Sequence, residues 1–121
     1  MSVEAPDSPR MMSFFERRCE ARRVVMLVRT TLWSGSQEAL ERWVREVTEK
    51  VKPAIQKSPG NVGAYFLVDW VNGKALTMTL WESEEAARAT DVGADQRRAT
   101  TAARTGVSQV ETGRYEVVAK I

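Results

Sequence analysis

Two runs of strand-forming residues, 61 to 71 and 74 to 82, flank the dipeptide Asn72-Gly73. A two-residue type I′ turn needs positive φ at both central positions, and Asn and Gly tolerate it best. The turn predicts a hairpin register in which Val71 faces Lys74, Phe66 faces Thr79 and Ala64 faces Trp81. Strand side chains alternate between faces, so the register sorts the hairpin in two. One face carries Ala64, Phe66, Val68, Trp70, Ala75, Thr77, Thr79 and Trp81. The other carries Tyr65, Leu67, Leu76, Met78 and Leu80, with Asp69 near the turn. Both are mostly apolar, so both need cover.

Residues 24 to 33, "VVMLVRTTLW", read as a further strand. Ser36 is the expected N-cap of a helix whose apolar stripe is Leu40, Trp43, Val44, Val47, Val51, Ala54 and Ile55. Pro53 is expected to kink or end that helix. Ser83 is the expected cap of a second, alanine-rich helical stretch that Gly93 should divide and Gly106 should end. Its small side chains imply close approach to the sheet or a space beneath it. "VSQVETGRYEVVAKI" is the last strand, with a bulge expected at Gly113. The order strand–helix–strand–strand–helix–strand predicts an α+β fold of ferredoxin-like βαββαβ type: a four-stranded antiparallel sheet with two helices on one face. The helices can cover only one face, and a second subunit is the simplest cover for the other.

The chain of 121 residues is one domain by length, read as an N-terminal arm over 1–23 and a folded domain over 24–121. The arm opens with a proline-containing polar stretch expected to be disordered, then sets Met11, Phe14, Phe15 and Cys19 on one helical face. Its Arg17, Arg18, Arg22 and Arg23 invite a nucleic-acid role, but Glu16 and Glu20 offset half of that charge and no aromatic platform interleaves with it. A net charge of +2 is too small to argue for nucleic acid or an acidic membrane. One cysteine and no histidine argue against a disulfide, a zinc site or histidine-ligated haem, and no glycine-rich dinucleotide fingerprint is present. No cofactor or metal is therefore expected. No membrane-length apolar run and no signal core is present, so the reading is a cytoplasmic protein without membrane partners.

The order of elements, "PGNVGAYFL" after the first helix, and "LTMTLWESEEAARA" resemble the antibiotic biosynthesis monooxygenase family of dimeric α+β barrels over residues 24 to 121. The resemblance implies a homodimer whose sheets face each other and a pocket between sheet and helices. It also implies one of several functions: cofactor-free oxygenation of polycyclic phenols, haem breakdown, or a small protein with another role. The Trp-x-Ser phrase maps the pocket tryptophan of the haem-degrading branch onto Trp81. That branch also uses an asparagine where this chain has Val28, and a histidine, which this chain lacks. The haem branch therefore does not fit.

Trp81, Phe66 and Trp70 are the expected aromatic wall for a small planar ligand, with Thr77, Thr79, Val28 and Thr30 completing the pocket. The competing reading makes Trp81 core packing above a small residue. Tyr65, Leu67, Met78 and Leu80 are the expected dimer interface, and Arg29, on the opposite parity from Val28 and Thr30, is expected to face the partner sheet. No catalytic residue is identified: the pocket face carries no acid, base or nucleophile. Three functions stay open: a small cofactor-free monooxygenase acting on an aromatic phenol, a non-catalytic dimer that binds a small aromatic ligand or acts as a scaffold, and a nucleic-acid or regulatory role through the arginine-bearing arm.

Overall fold

A computed structural model describes residues 26–121, so the expected arm lies outside the described residues. The chain runs β1 (Leu27–Ser34), α1 (Gln37–Glu46), a π-helical turn (Val47–Val51), α2 (Lys52–Gln56), β2 (Asn61–Asp69), β3 (Lys74–Trp81), α3 (Glu84–Ala89), α4 (Asp91–Thr105) and β4 (Ser108–Glu116). The strands form one antiparallel sheet in the order β2-β3-β1-β4. This is the expected ferredoxin-like plan. No helix among the described residues is long and apolar enough to cross a membrane.

The helix signals work locally as their chemistry requires. Ser36 Oγ accepts from the Ala39 amide and Ser83 Oγ from the Ala86 amide, each at 3.1 Å. Gly106 ends α4 in the left-handed region at φ 86°. Pro53 does not end the first helix. The backbone widens into the π-helical turn just before it and resumes as α2. Proline has no N–H to give the carbonyl one turn back, and a local change of helical pitch accommodates that loss. The second helical stretch divides at Thr90, not at Gly93. Thr90 has non-helical dihedrals, and its Oγ1 turns back to donate to the Ala87 carbonyl.

The hairpin differs from expectation in its register. Asp69, not Val71, pairs with Lys74, so residues 70 to 73 form a four-residue loop. Asp69 explains the longer turn: its carboxylate accepts from the Asn72 amide (3.1 Å) and from Asn72 Nδ2 (2.8 Å). Hydrogen bonds from Asn72 hold the Asp69 carboxyl below the usual carboxylate range. Gly73, at φ 67°, accepts from the Gly35 amide, and any Cβ there would meet Gly35 O at 2.9 Å. The shift is two residues, so each side chain keeps its expected face while every pair changes. Phe66 now faces Thr77, Ala64 faces Thr79, and an irregularity sets Asn61 opposite Trp81. Gly113 pairs in register with Thr30, and the bulge of β4 lies earlier, between Gln109 and Glu111. Gly113 serves close approach instead, because a Cβ would sit 2.8 Å from Thr30 Oγ1 and from the Tyr115 ring.

One sheet face packs under the helices. Its main core joins Trp33, Leu40, Trp43, Val47, Val51 and Ile55. Trp43 lies 6.3 Å from Trp33 and 6.4 Å from Phe66, centroid to centroid. Such tilted aromatic pairs contribute about 0.5–1.5 kcal/mol each beyond their area. A smaller core of Leu27, Trp81 and Ala87 sits at the far end. The opposite sheet face stays open in the single chain: Tyr65 is 59% exposed and Leu67 45%.

Candidate functional site

The pairing of β1 with β3 decides what faces the helices. Arg29 lies opposite Thr79, Thr31 opposite Thr77 and Trp33 opposite Ala75. These residues share the helix-covered face. Val28 and Thr30 pair with Leu80 and Met78 and share the open face. This corrects the expected pocket: Val28 and Thr30 point away from the helices, and Arg29 points under them. Trp70 is also outside the site, because the shifted register leaves it half-exposed in the loop.

Arg29 is 7% exposed and fully engaged. Its Nη1 donates to the Ala87 carbonyl at 3.0 Å and to Asp91 Oδ1 at 2.7 Å, and its Nη2 donates to Thr90 Oγ1 at 3.0 Å. The break between α3 and α4 at Thr90 is what brings these three acceptors together. Its guanidinium carbon sits 5.0 Å from the Trp81 ring centroid, within cation–π range. Burial pulls the Arg29 pKa down, and Asp91 opposes that shift. Asp91 Oδ1 also accepts from Arg114 at 2.8 Å.

Trp81 is 1% exposed and lies between the sheet and α3. Its Nε1 donates to Thr79 Oγ1 at 2.9 Å. It packs against Leu27 and Ala87 and does not line the small space beside it. That space is a cavity of about 40 Å³ between the sheet, the π-helical turn and α4. The sheet supplies Arg29, Thr31, Trp33, Thr77 and Thr79, while α4 supplies Ala94, Arg97, Arg98 and Thr101. Val47, Val51 and Ile55 close the remaining side. The alanine-rich stretch thus leaves a void, as its small side chains implied. Thr77 and Thr79 are the expected pocket residues that line it. Phe66 instead lines an open cleft of about 550 Å³ between β2 and the helices that follow β1.

The cavity is lined by three arginine and four threonine residues and by no acidic residue. Trp33 Nε1 donates to Thr77 Oγ1 at 3.1 Å, which fixes that hydroxyl's orientation. Arg98 pairs with Asp95 on its own helix. Among the described residues no carboxylate pairs with Arg97, whose pKa is lowered by burial and then by the charge of Arg98. The wall is mainly apolar, and its polar part is arginine and threonine, suited to an apolar ring that carries an anionic or strongly hydrogen-bond-accepting group. Arg29, Arg97, Arg98, Thr31, Trp33 and Thr101 were not expected here. Once Arg29 is placed inward, strict alternation along β1 brings Thr31 and Trp33 with it.

The fold is shared with solved oxygenases, among them a putative antibiotic biosynthesis monooxygenase from Deinococcus radiodurans with a TM-score of 0.60 at 17% identity, covering 79% of this chain and 95% of that one. A monooxygenase from the gene ActVA-Orf6 of Streptomyces coelicolor, solved in complex with the ligand nanaomycin D, superposes with a TM-score of 0.56 at 22% identity, covering 81% of this chain and 89% of that one. SnoaB, a cofactor-independent oxygenase from Streptomyces nogalater, gives 0.59 at 13% identity, covering 80% and 97%. A dimeric ferredoxin-like protein from an uncultured marine organism gives 0.56 at 10% identity, covering 86% and 96%. The chain therefore has the fold of the antibiotic biosynthesis monooxygenases, as the sequence resemblance implied. No family model matches the sequence. Two curated relatives, the uncharacterized proteins MT2634 and Rv2557 of two Mycobacterium tuberculosis strains, are 29% identical over 65 residues. The match spans 54% of this chain and only 29% of either relative's length.

Proposed function

We propose that this chain forms a homodimer that binds an acidic aromatic small molecule under α4 and oxygenates it without a bound cofactor. The observation that carries the reading is the cavity wall, with its guanidinium groups, threonine hydroxyls and no carboxylate. A phenol bound there ionises more readily, because nearby positive charge favours the phenolate. A phenolate is electron-rich enough to react with dioxygen itself, so the protein needs to orient it, keep it ionised and exclude water. The balance needs no further reductant: a phenol and O2 give a quinone and water, with one oxygen atom in each product. The absence of a base from the wall then matters little, since the substrate supplies its own anion. The solved monooxygenases of the same fold support this reading, as does the apolar open sheet face for the dimer.

The size of the cavity favours a second reading, a ligand-binding dimer without catalysis. About 40 Å³ holds a water or so and no aromatic ring unless the wall moves. Oxygen-electrode measurements with a panel of polycyclic phenols, 1-naphthol included, separate the two. The oxygenase reading expects uptake of one O2 per quinone formed. Binding across the panel without oxygen uptake leaves only the ligand-binding reading, and absence of binding removes both.

A further inference from the structure

We infer that small anionic aromatics reach the cavity along the groove between the π-helical turn and α4, and that Arg97 is the side chain that moves aside to admit them and then pairs with their charge. The inference rests on the ligand-binding reading of the same cavity. It starts from size: about 40 Å³ is too small for a ring, so some part of the wall has to move. Among the described residues, three surface hollows share lining residues with it, and they differ in what guards them.

Toward β4 lies a groove of about 290 Å³ that shares Arg29 and Arg98 with the cavity. Both are tied to carboxylates, and Arg29 makes three hydrogen bonds that opening would break. Toward β2 lies the large cleft, which shares Val47 and Ile55. Those two belong to the main core, so opening there would expose packed apolar surface. The third hollow, of about 360 Å³ between the π-helical turn and α4, shares Val51, Arg97 and Thr101.

Val51 belongs to the same main core and stays in place; of these three boundaries the third also has a polar guard with little to lose. Arg97 is partly buried and, among the described residues, pairs with no carboxylate. The other cavity arginines do pair. A desolvated, unpaired guanidinium gains water when it swings outward and gains a partner when an anion enters. The groove floor offers room, since a Cβ on Gly93 would meet no atom within 4 Å. With Arg97 withdrawn, cavity and groove become one space in the size range of small-molecule sites.

The test uses a matched pair of probes, 2-naphthoate and its uncharged methyl ester, followed by stopped-flow quenching of tryptophan emission. Trp33 in the cavity wall reports the event. Gly93→Trp narrows the groove without touching the cavity and should slow entry and exit of both probes by about tenfold, leaving Kd within about threefold. Thr112→Trp, in the groove toward β4, should leave the rates unchanged. Arg97→Gln should weaken 2-naphthoate by about tenfold or more while the ester binds as well or faster. Wild-type rates in Gly93→Trp, or slowing in Thr112→Trp instead, overturn the route. Equal losses for both probes in Arg97→Gln overturn its role as the anion's partner. Failure of the wild type to bind either probe, or persistence of binding when Thr31→Trp fills the cavity, overturns the ligand-binding reading itself.

Discussion

Removing Asp91 should destabilise this protein more than removing Arg29, although they form one ion pair. Arg29 is 7% exposed and Asp91 34%, with 2.7 Å between Nη1 and Oδ1. Breaking a fully buried pair by deleting one partner costs about 3–5 kcal/mol, because the survivor is left charged and dry. In Asp91→Ala the survivor is the buried Arg29, though it keeps the Ala87 carbonyl, Thr90 Oγ1 and the Trp81 face. Asp91 is about one-third exposed, so solvent already screens part of the interaction. The expected loss is about 2–3 kcal/mol. In Arg29→Met the survivor is Asp91, which still holds Arg114 and reaches water. The Ala87 carbonyl is not orphaned, because the Thr90 amide and hydroxyl both donate to it. Methionine replaces much of the arginine's volume against Trp81, so the expected change is within about 1 kcal/mol. In Arg29→Met/Asp91→Ala the stranded charge is gone, so the double variant should be more stable than Asp91→Ala alone. Urea unfolding monitored by tryptophan fluorescence gives all three values. Refutation would be an Arg29→Met cost equal to or above that of Asp91→Ala, or strict additivity in the double variant. If the ordering holds, the arginine is not kept for stability, and its place at the cavity wall becomes the stronger reason for it.

The open sheet face gives a further expectation: light scattering at micromolar concentration should report about twice the 13.6 kDa of the chain. Leu67→Asp should dissociate or unfold that dimer by placing a charge in an apolar interface, and a wild-type monomer would refute the assignment. The Asp69 turn predicts an acid-sensitive term in stability. Its carboxyl is held below its unfolded value, so the contribution is complete above the ordinary carboxylate range and fades as pH falls through the depressed value. Asp69→Asn should flatten that limb of the unfolding profile, and an unchanged acid limb would locate it in other carboxylates.

How far the site was legible turns on what fixes each strand's facing. For β2 and β3 a turn signal fixed the parity, and parity survived a register error because the error was an even number of residues. Thr77 and Thr79 therefore kept their expected face of the sheet, while Trp70 was lost to the loop that Asp69 builds. The capping serines and Gly106 were legible because their interactions lie within a few residues of themselves. β1 had no such anchor. "VVMLVRTTLW" is apolar or β-branched at nearly every position, so alternation cannot choose a face. Val28 was set inward because the resemblance maps it onto the pocket asparagine's position, and parity then turned Arg29 toward the partner sheet. What holds Arg29 inward instead is Asp91, which lies 62 residues further along the chain. A pairing at that distance leaves no mark on the local pattern.

The consequence for chemistry is larger than one misplaced side chain. With Val28 and Thr30 inward, the pocket would have been an aromatic wall with a few hydroxyls, selecting shape and little else. With Arg29 inward, its guanidinium lies over Trp81, and Thr31 and Trp33 follow it, so the indole becomes a support for the charge and arginine joins the cavity wall. On the proposed function such a wall would discriminate by ionisation, favouring at equal shape a phenolate over its phenol. The orientation of a single strand thus decides whether the proposal rests on flatness or on charge.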